Sequence, residues 1–472
     1  MIFAIPIELK VREFTSKVYL SYKILQNTNI DVVIGKKNVI YNFFKKNKNV
    51  FLLLKGGVRA NFPFTKKHLK GNKIALLDEE GPLFNVGEYD KKTRYSKFMI
   101  NNSDFILLWG KKDLDVSRSF VETLGKKTFI TGHPKYDLLK KPTVEYFNKE
   151  VISIKKKYKK YVLISSNFNG GDSVNEKEIN NKYYQNTLTL SEKRKNDNFL
   201  LKTEKADLEN YTKIINIIIN LAKKNKKINF IFRPHPRQNV KKVKKRFPKN
   251  IKNIKVIYEH SITPWIYGSE IFIHSGCTSS FEANILKKKI IYFVANNFPK
   301  RPETYKKFGK YFNNQIYCEK YINELITNKK KHKFKKLNSN IIENYEDKVF
   351  YKILFKIFKK YKIDDKGKTN LYFDDFNKKK FKLLRNFLSV IKNFMLENKI
   401  GVSLINKIDP NLLLSKNYKE KKYTLIKKSE IVNSLNLFRK TDLIKKKYKV
   451  IDIKNDCFYL TTKKKLNIIK II

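Results

Sequence analysis

Short apolar runs recur along the first 140 residues, and they do not alternate cleanly with polar positions. The six runs span 2–7, 31–35, 50–54, 73–77, 104–110 and 127–132. Uninterrupted Val, Ile, Leu and Phe are typical of strands that are covered on both faces, as in a parallel sheet between helix layers. Stretches of helical length, such as 12–27 and 36–48, separate the runs. The pattern therefore predicts repeated βαβ units.

A second series of the same kind begins near residue 160. Its apolar runs span 161–166, 228–234, 254–259, 270–275 and 289–294. A long polar stretch, 175–225, separates the first two of these runs and ends with apolar residues at helical spacing. Because ligands of open α/β sheets bind at the carboxyl ends of the strands, we expect two facing Rossmann-like domains, 1–150 on the acceptor side and 151–330 on the donor side.

Residues 331–472 follow a different pattern and predict a Lys-rich, mostly helical extension. Apolar residues recur at helical spacing, with lysines between them, in 350–363 and 381–400. A short hairpin is predicted within 447–460. The two basic amphipathic helices could rest on anionic lipid, or their apolar faces could pack on each other.

The composition is strongly basic, with 103 Lys and Arg against 43 Asp and Glu and a formal net charge of +60 over 472 residues. That charge suggests a nucleic-acid or membrane-surface partner. It is spread along the chain, however, and Lys, Asn, Ile, Phe and Tyr are all written by A/T-rich codons. No helix-turn-helix, zinc module or aromatic-and-basic sheet signature accompanies the charge, so a nucleic-acid binder is the weaker hypothesis.

The three cysteines, Cys277, Cys318 and Cys457, form neither a disulfide framework nor a zinc spacing. The amino terminus lacks the features of a secretory signal, and no apolar window approaches the 18 residues of a membrane span. We therefore expect a cytoplasmic protein whose contact with the inner face of the membrane, if it has one, is peripheral.

The most specific local signal begins with FRPHPR (232–237), where an apolar strand runs directly into a rigid turn. Two prolines flank His235 and exclude a helix there. Arg233 and Arg237 lie beside the histidine. Cations and an imidazole at the carboxyl end of a strand suit phosphate oxygens, although a rigid surface turn is the simpler alternative.

A second signal, HSGCTSSFEA (274–283), is a strand followed by a tight turn and a helix start. Hydroxyls and backbone N–H groups there form an anion site. The candidate phosphate-binding residues are Ser275, Gly276, Thr278, Ser279 and Ser280. Glu282 could accept hydrogen bonds from a ribose. Ordinary helix capping is the alternative interpretation.

A third segment, SSNFNGGD (165–172), follows the first strand of the second series. Its Gly170 and Gly171 allow the backbone to approach a ligand closely. A flexible surface loop is the alternative.

The first domain offers carboxylates. Glu8 follows the first strand, and Glu79 and Glu80 follow the fourth beside Asp78. Crowded like charges raise the pKa of at least one member, which suits a general base, although a solvated acidic turn is the alternative. For the His-Pro turn in GHPKYDLL (132–139), we favour a structural connector.

Together these segments carry a family resemblance. The chain resembles bacterial surface carbohydrate (surface polysaccharide) biosynthesis proteins, which look like GT-B glycosyltransferases and, more distantly, capsular Kdo transferases, UDP-GlcNAc 2-epimerases and CDP-glycerol glycerophosphotransferases. The resemblance covers about residues 1–330. The segments that carry it are ELKVREF, VVIGKK, LLDEEG, LLWGK, TGHPKYDLL, FRPHPR and HSGCTSSFEA.

The resemblance implies a GT-B-like enzyme that transfers a sugar from a nucleotide-activated donor to a lipid-linked or surface glycan acceptor, as in lipopolysaccharide synthesis. It implies that His235 contacts a donor phosphate and Glu282 a ribose. We expect no cofactor and a metal-independent site. A UDP-sugar 2-epimerase or a glycerophosphotransferase is the alternative. Epimerase-like members tend to carry Gly-Gly and a double Glu where this chain has Gly276-Cys277 and a single Glu282.

Overall fold

The chain forms two compact units. In this computed structural model the described residues are 1–56, 64–79, 81, 97–118, 127–168, 190–236, 238–298, 303–363, 371–373, 424–442, 446–454, 456–463 and 469–471. The first unit comprises Met1–Glu150, Lys336–Asp375 and Tyr423–Ile472. In its described part, the second unit comprises Val151–Lys335.

The strands coincide closely with the apolar runs of the sequence. They are β1 (Ile2–Ile7), β2 (Asp31–Lys36), β3 (Val50–Gly56), β4 (Lys73–Asp78), β5 (Phe105–Leu108), β6 (Thr128–Ile130), β7 (Tyr161–Ser165), β8 (Asn229–Arg233), β9 (Ile254–Val256), β10 (Ile271–His274), β11 (Lys289–Phe293), β12 (Lys310–Phe312), β13 (Leu371–Phe373), β14 (Lys449–Lys454), β15 (Cys457–Thr461) and β16 (Ile469–Ile471).

Helices connect most of these strands. They are α1 (Lys10–Asn27), α2 (Lys37–Lys46), α3 (Lys66–Leu69), α4 (Lys97–Asn101), α5 (Lys111–Arg118), α6 (Pro134–Asp137), α7 (Asn148–Tyr158), α8 (Leu190–Lys224), α9 (Val240–Lys244), α10 (Ile262–Gly268), α11 (Ser279–Ile285), α12 (Thr304–Phe308), α13 (Gln315–Ile326), α14 (Phe350–Lys360) and α15 (Lys428–Thr441). Within the described ranges, no helix is both long and apolar enough to cross a membrane.

The first unit is built on an eight-stranded sheet in the order β14-β15-β2-β1-β3-β4-β5-β6. The strands from β2 to β6 are parallel, and every residue of β1 is buried. This confirms the prediction of parallel strands covered on both faces. The order reverses direction between β1 and β3. Such a reversal is a topological switch point. Open α/β sheets bind ligands at this point, next to the carboxyl ends of the strands.

The second unit is built on a six-stranded, entirely parallel sheet in the order β12-β11-β10-β7-β8-β9. Counted from β7, this is the Rossmann order 3-2-1-4-5-6, and its switch point lies between β7 and β10. The strand β12 was not predicted. The α/β fold class with two Rossmann-like units is therefore confirmed.

The carboxyl-terminal part of the chain differs from the predicted separate extension. The apolar face of α14 is buried in the first unit, and the Phe358 ring lies 5.8 Å from Phe3 and 5.3 Å from Phe51 between centroids. The hairpin β14–β15 adds to β2 in antiparallel orientation. Because its apolar face is already covered, α14 does not offer that face to a lipid surface. The predicted helix 381–400 lies outside the described residues.

Candidate active site

The switch point of the second sheet brings three strand ends together. The Asn167 side chain, just after β7, donates to the backbone oxygen of Ser275, just after β10, at 3.1 Å. The backbone N–H of Ser166 donates to the Arg233 carbonyl at the end of β8 at 3.0 Å. The Ser166 hydroxyl is buried, and no hydrogen-bond partner for it occurs among the described residues. These bonds fix the loops after β7, β8 and β10 at one edge of the sheet.

The side chain of His274 holds the turn between β10 and α11 through hydrogen bonds. The buried ring accepts hydrogen bonds at Nδ1 from the backbone N–H groups of Gly276 at 3.0 Å and Cys277 at 3.3 Å. Gly276 has φ +94°, a conformation that favours glycine. These two N–H groups therefore point inward. Thr278 and Ser279 are half-buried, so they are the hydroxyls of this turn that remain accessible.

Three residues expected to bind a ligand through their side chains are instead fully buried. The Ser275 hydroxyl donates to the Phe293 carbonyl at 2.7 Å, and the Ser280 hydroxyl donates to the Cys277 carbonyl at 2.7 Å. Glu282 accepts a hydrogen bond from the Thr263 hydroxyl at 2.6 Å, which links α11 to α10. In this arrangement the three side chains stabilise the turn and its neighbouring helices, and they do not face solvent.

Arg233 also has a different role from the expected one. Its guanidinium is buried over the Tyr258 ring and donates to the backbone carbonyls of Glu259, at 2.5 Å, and His260. Burial lowers the pKa of Arg233 to about 10, and the group remains charged at neutral pH. Arg233 therefore holds the loop after β9.

His235 is the second residue after β8 and is half-buried. Its backbone N–H donates to Gln238 Oε1 at 2.8 Å. This bond fixes the Pro-His-Pro turn that the sequence predicts. Arg237, Gly170 and Gly171, which were predicted to bind the donor, lie outside the described residues.

In the first unit, Glu8 lies at the switch point of the sheet, directly after β1. Its carboxylate pairs with Lys55, at the end of β3, at 2.8 Å, and with Lys37, at the start of α2, at 3.4 Å. The Glu8 side chain keeps 16% of its surface exposed. The predicted carboxylate is therefore present at this edge of the sheet and accessible there.

Glu79 is far more enclosed than Glu8. Its Oε1 lies 2.9 Å from the Lys17 ammonium, and its Oε2 lies 3.2 Å from His133 Nε2. Burial by itself raises the pKa of Glu79, but Lys17 and His133 outweigh it and hold the pKa well below its ordinary value. Glu79 is therefore not the member of the acidic turn whose pKa is raised, because the Lys17 ammonium and the hydrogen bond with His133 favour its ionised form. Glu80 lies outside the described residues.

His133 belongs to the same buried cluster, although the sequence suggested only a connector. The backbone N–H of Lys135 donates to its Nδ1 at 3.2 Å, which assigns the proton to Nε2 for donation to Glu79. The ring also packs 4.9 Å from the Trp109 ring. Sequence reasoning missed His133 and Lys17. The Glu13–Lys17 spacing of four residues at the start of a helix was the available signal for Lys17.

Comparison with known proteins yields structural likeness only. No family model and no curated protein matches the chain. Similar solved structures include the UDP-GlcNAc 2-epimerase of Methanocaldococcus jannaschii in complex with UDP-GlcNAc and UDP (14% identity, TM-score 0.47, 76% of this chain and 100% of that chain). They also include the UDP-GlcNAc 2-epimerase of Neisseria meningitidis bound to UDP-GlcNAc (15%, 0.49, 76% and 100%) and the wall teichoic acid polymerase TagF (10%, 0.44, 77% and 85%). UDP-GlcNAc 2-epimerases are among the groups that the sequence resembles.

Proposed function

We propose that the protein is an enzyme of surface-glycan synthesis that binds a nucleotide-activated sugar in its second unit and transfers the glycosyl group to an acceptor. The observation that carries this proposal is the switch point between β7 and β10 in a 3-2-1-4-5-6 sheet. Accessible hydroxyls of the β10–α11 turn and the buried Ser166 hydroxyl border that point. Nucleotides bind Rossmann-type sheets at this position.

The donor phosphates are assigned to His235, Thr278 and Ser279. An imidazole N–H and two hydroxyls are suitable hydrogen-bond donors to phosphate oxygens. During transfer, the bond between the anomeric carbon and the phosphate oxygen breaks, and negative charge develops on the leaving phosphate. The same donors would stabilise that charge. Arg233, although it does not reach outward, adds a buried positive charge beneath the loop.

Activation of the acceptor is assigned to the first unit, with Glu8 as the general base. The acceptor oxygen forms the new bond to the anomeric carbon and passes its proton to the Glu8 carboxylate. Glu8 is preferred to Glu79 because Lys17 and His133 engage both carboxylate oxygens of Glu79 and hold its pKa well below the ordinary value, which makes it a weak proton acceptor. In this proposal Glu79 holds the carboxyl edge of the sheet in place.

The donor site can be tested by calorimetric titration of the full chain with UDP, CDP and CMP. We expect one of these to bind, and we expect His235→Ala and Ser279→Ala to weaken its affinity at least about tenfold each, as loss of a charge-assisted hydrogen bond does. His332→Ala and Ser153→Ala, which change the same residue types elsewhere in the second unit, serve as matched controls. Unchanged affinity in both site variants would overturn the assignment.

The reaction class needs a separate measurement. NMR of the donor sugar, incubated with the protein in the presence and absence of a glycan acceptor, distinguishes the two enzyme classes. Transfer consumes the donor only with the acceptor present, whereas a 2-epimerase changes the sugar without any acceptor. We expect acceptor-dependent consumption that Glu8→Gln reduces.

A further inference from the structure

The amino-terminal edge of the second sheet carries an unusual concentration of positive charge. All six strands are parallel, so their amino ends share one edge. Three segments lead into the adjacent strands β7, β8 and β9, namely 155–160, 223–227 and 244–252. They contain five, four and five exposed Lys or Arg residues, respectively, and no Asp or Glu. We call these three segments the basic edge.

The opposite edge of the same sheet is different. The described residues directly after the strands, 166–168, 234–236, 275–279 and 294–298, contain no Lys or Arg. Codon bias acts on the whole chain and does not separate charge between the two edges of one sheet. Helix dipoles favour lysines in the last turns of α7 and α8, but they do not account for the cations in 159–160, 226–227 and 249–252, which follow the helix ends.

We therefore expect the basic edge to bind an anionic partner. Like charges at this density repel one another and destabilise the folded state unless counter-charge is bound. Such a cluster at one end of a unit presents a broad positive surface, which suits an extended anionic surface better than a single small anion.

Apolar groups within and next to the basic edge indicate what kind of anionic surface fits. Ile152, on α7, is 66% exposed. A groove of about 610 Å³ lies beside β9, where Phe247, Ile251 and Ile254 form apolar walls among four lysines and one carboxylate, Glu259. Apolar side chains among exposed lysines are typical of surfaces that rest on acidic lipid. Single-stranded nucleic acid is bound on exposed aromatic rings, whereas Tyr158 and Phe247 are each only 8% exposed, and the guanidinium of Arg233 lies over the half-buried Tyr258 ring.

We propose that the basic edge docks the protein on a lipid bilayer that contains acidic phospholipids. The lysines contact the headgroups, and Ile152 enters the interfacial region. This surface belongs to the second unit and does not involve the amphipathic helix α14, whose apolar face is buried. The proposal is independent of the reaction that the protein catalyses.

The test is flotation of the full chain with vesicles of equal parts phosphatidylglycerol and phosphatidylcholine, compared with phosphatidylcholine alone. We expect binding only to the acidic vesicles, weakening as salt rises from about 0.1 M to about 0.5 M. The triple variant Lys156→Glu, Lys227→Glu, Lys252→Glu should bind at least about tenfold more weakly. A variant of equal charge, Lys66→Glu, Lys67→Glu, Lys111→Glu, changes exposed lysines of the first unit and should bind much as the unmodified chain does.

A second pair of variants tests the apolar part of the contact at constant charge. Ile152→Ser should weaken vesicle binding, whereas Ile316→Ser, at a residue that is 73% exposed on α13, should not. Equal losses in the two charge-reversed variants would show a general effect of net charge and would overturn the proposal. Binding to single-stranded RNA without binding to acidic vesicles at the same salt concentration would also overturn it.

Discussion

The Lys17 ammonium lies 2.9 Å from Glu79 Oε1, and the two side chains are only 3% and 5% exposed. The same ammonium lies 2.8 Å from Glu13 Oε2 and donates to the Pro6 carbonyl at 2.6 Å. Burial by itself lowers the pKa of Lys17, but the two carboxylates outweigh it and raise the pKa. One buried cation therefore neutralises charge on α1 and at the carboxyl end of β4, and it holds both elements at the edge of the first sheet.

Replacing Lys17 by Met should strongly destabilise the first unit. The change leaves the carboxylates of Glu13 and Glu79 buried without their shared cation, and breaking a buried ion pair in this way costs about 3–5 kcal/mol. Chemical denaturation followed by tryptophan fluorescence measures the loss, because Trp109 packs against His133 in the same cluster.

The control for Lys17→Met is Lys213→Met on α8. Lys213 pairs with Glu209 at 2.9 Å, but both side chains are about two-fifths exposed. An exposed pair at this spacing contributes roughly 0.3–0.5 kcal/mol. A comparable loss of stability in the two variants would contradict the role assigned to Lys17.

The strands could be predicted from the sequence because burial on both faces requires an uninterrupted run of apolar residues. The runs at 31–35 and 73–77, for example, become β2 and β4 with almost the same bounds. The attachment of β14 and β15 to β2 could not be predicted in the same way. A hairpin with one buried face shows where it turns, but its partner strand lies more than 400 residues away and leaves no local pattern.

The candidate site could be predicted only in part, for a related reason. Glu8 and His235 follow strands directly, so their positions at the sheet edges come from the local order of elements. Whether a side chain then faces solvent depends on partners from distant segments. Arg233 reaches the carbonyl of Glu259, and Glu282 reaches Thr263. These partners hold both side chains inside the unit. No spacing in the sequence predicts that orientation.

Asp137 should make stability depend on pH. It is buried at α6, where its Oδ1 accepts hydrogen bonds from the Asn344 side chain and the Phe350 N–H at 2.6 and 3.1 Å. Burial outweighs these bonds and raises its pKa from 3.8 to about 6. A carboxyl whose pKa is raised on folding favours the folded state fully at pH below its unfolded pKa, and this contribution is lost as the pH rises through the folded value.

The contribution of Asp137 should therefore fall between about pH 4 and pH 7, by about 3 kcal/mol for a pKa shift of roughly two units. Asp137→Asn keeps an acceptor oxygen but has no proton to lose, so its stability should not show this component. Urea denaturation midpoints of both proteins across that range provide the measurement. Parallel pH profiles would show that Asp137 does not carry the effect.

Gly132 should not tolerate a side chain, because Asn344 occupies the space. Gly132 has φ +77°, and a Cβ atom there would lie 1.8 Å from Asn344 Oδ1. Asn344 cannot move away freely, since its amide bonds to both the N–H and the carbonyl of His133. Gly132→Ala should therefore cost several kcal/mol, well above the roughly 1–2 kcal/mol of the left-handed conformation alone.

Gly71 offers a matched comparison for Gly132. Its φ is +76°, but the nearest side-chain atom to an added Cβ is the Lys48 Cδ, at 3.8 Å. Gly71→Ala should therefore show only the conformational cost. Combining Gly132→Ala with Asn344→Ala should cost less than the sum of the two single changes, because the clash with the Asn344 side chain is removed and only the contact with its backbone nitrogen, at 2.8 Å, remains. Strict additivity would mean that the Asn344 side chain does not cause the strain.

Arg233→Lys should loosen the loop after β9. The planar guanidinium contacts two carbonyls at once, Glu259 and His260, whereas a lysine ammonium presents a single point of contact. Loss of one charge-assisted hydrogen bond costs about 1.5–3 kcal/mol. We therefore expect faster hydrogen exchange at 257–261 in the absence of any nucleotide. Arg246 is exposed, and Arg246→Lys should leave hydrogen exchange at 257–261 unchanged. If Arg233 were a direct phosphate ligand instead, Arg233→Lys would weaken nucleotide binding while leaving exchange in the ligand-free protein as it was.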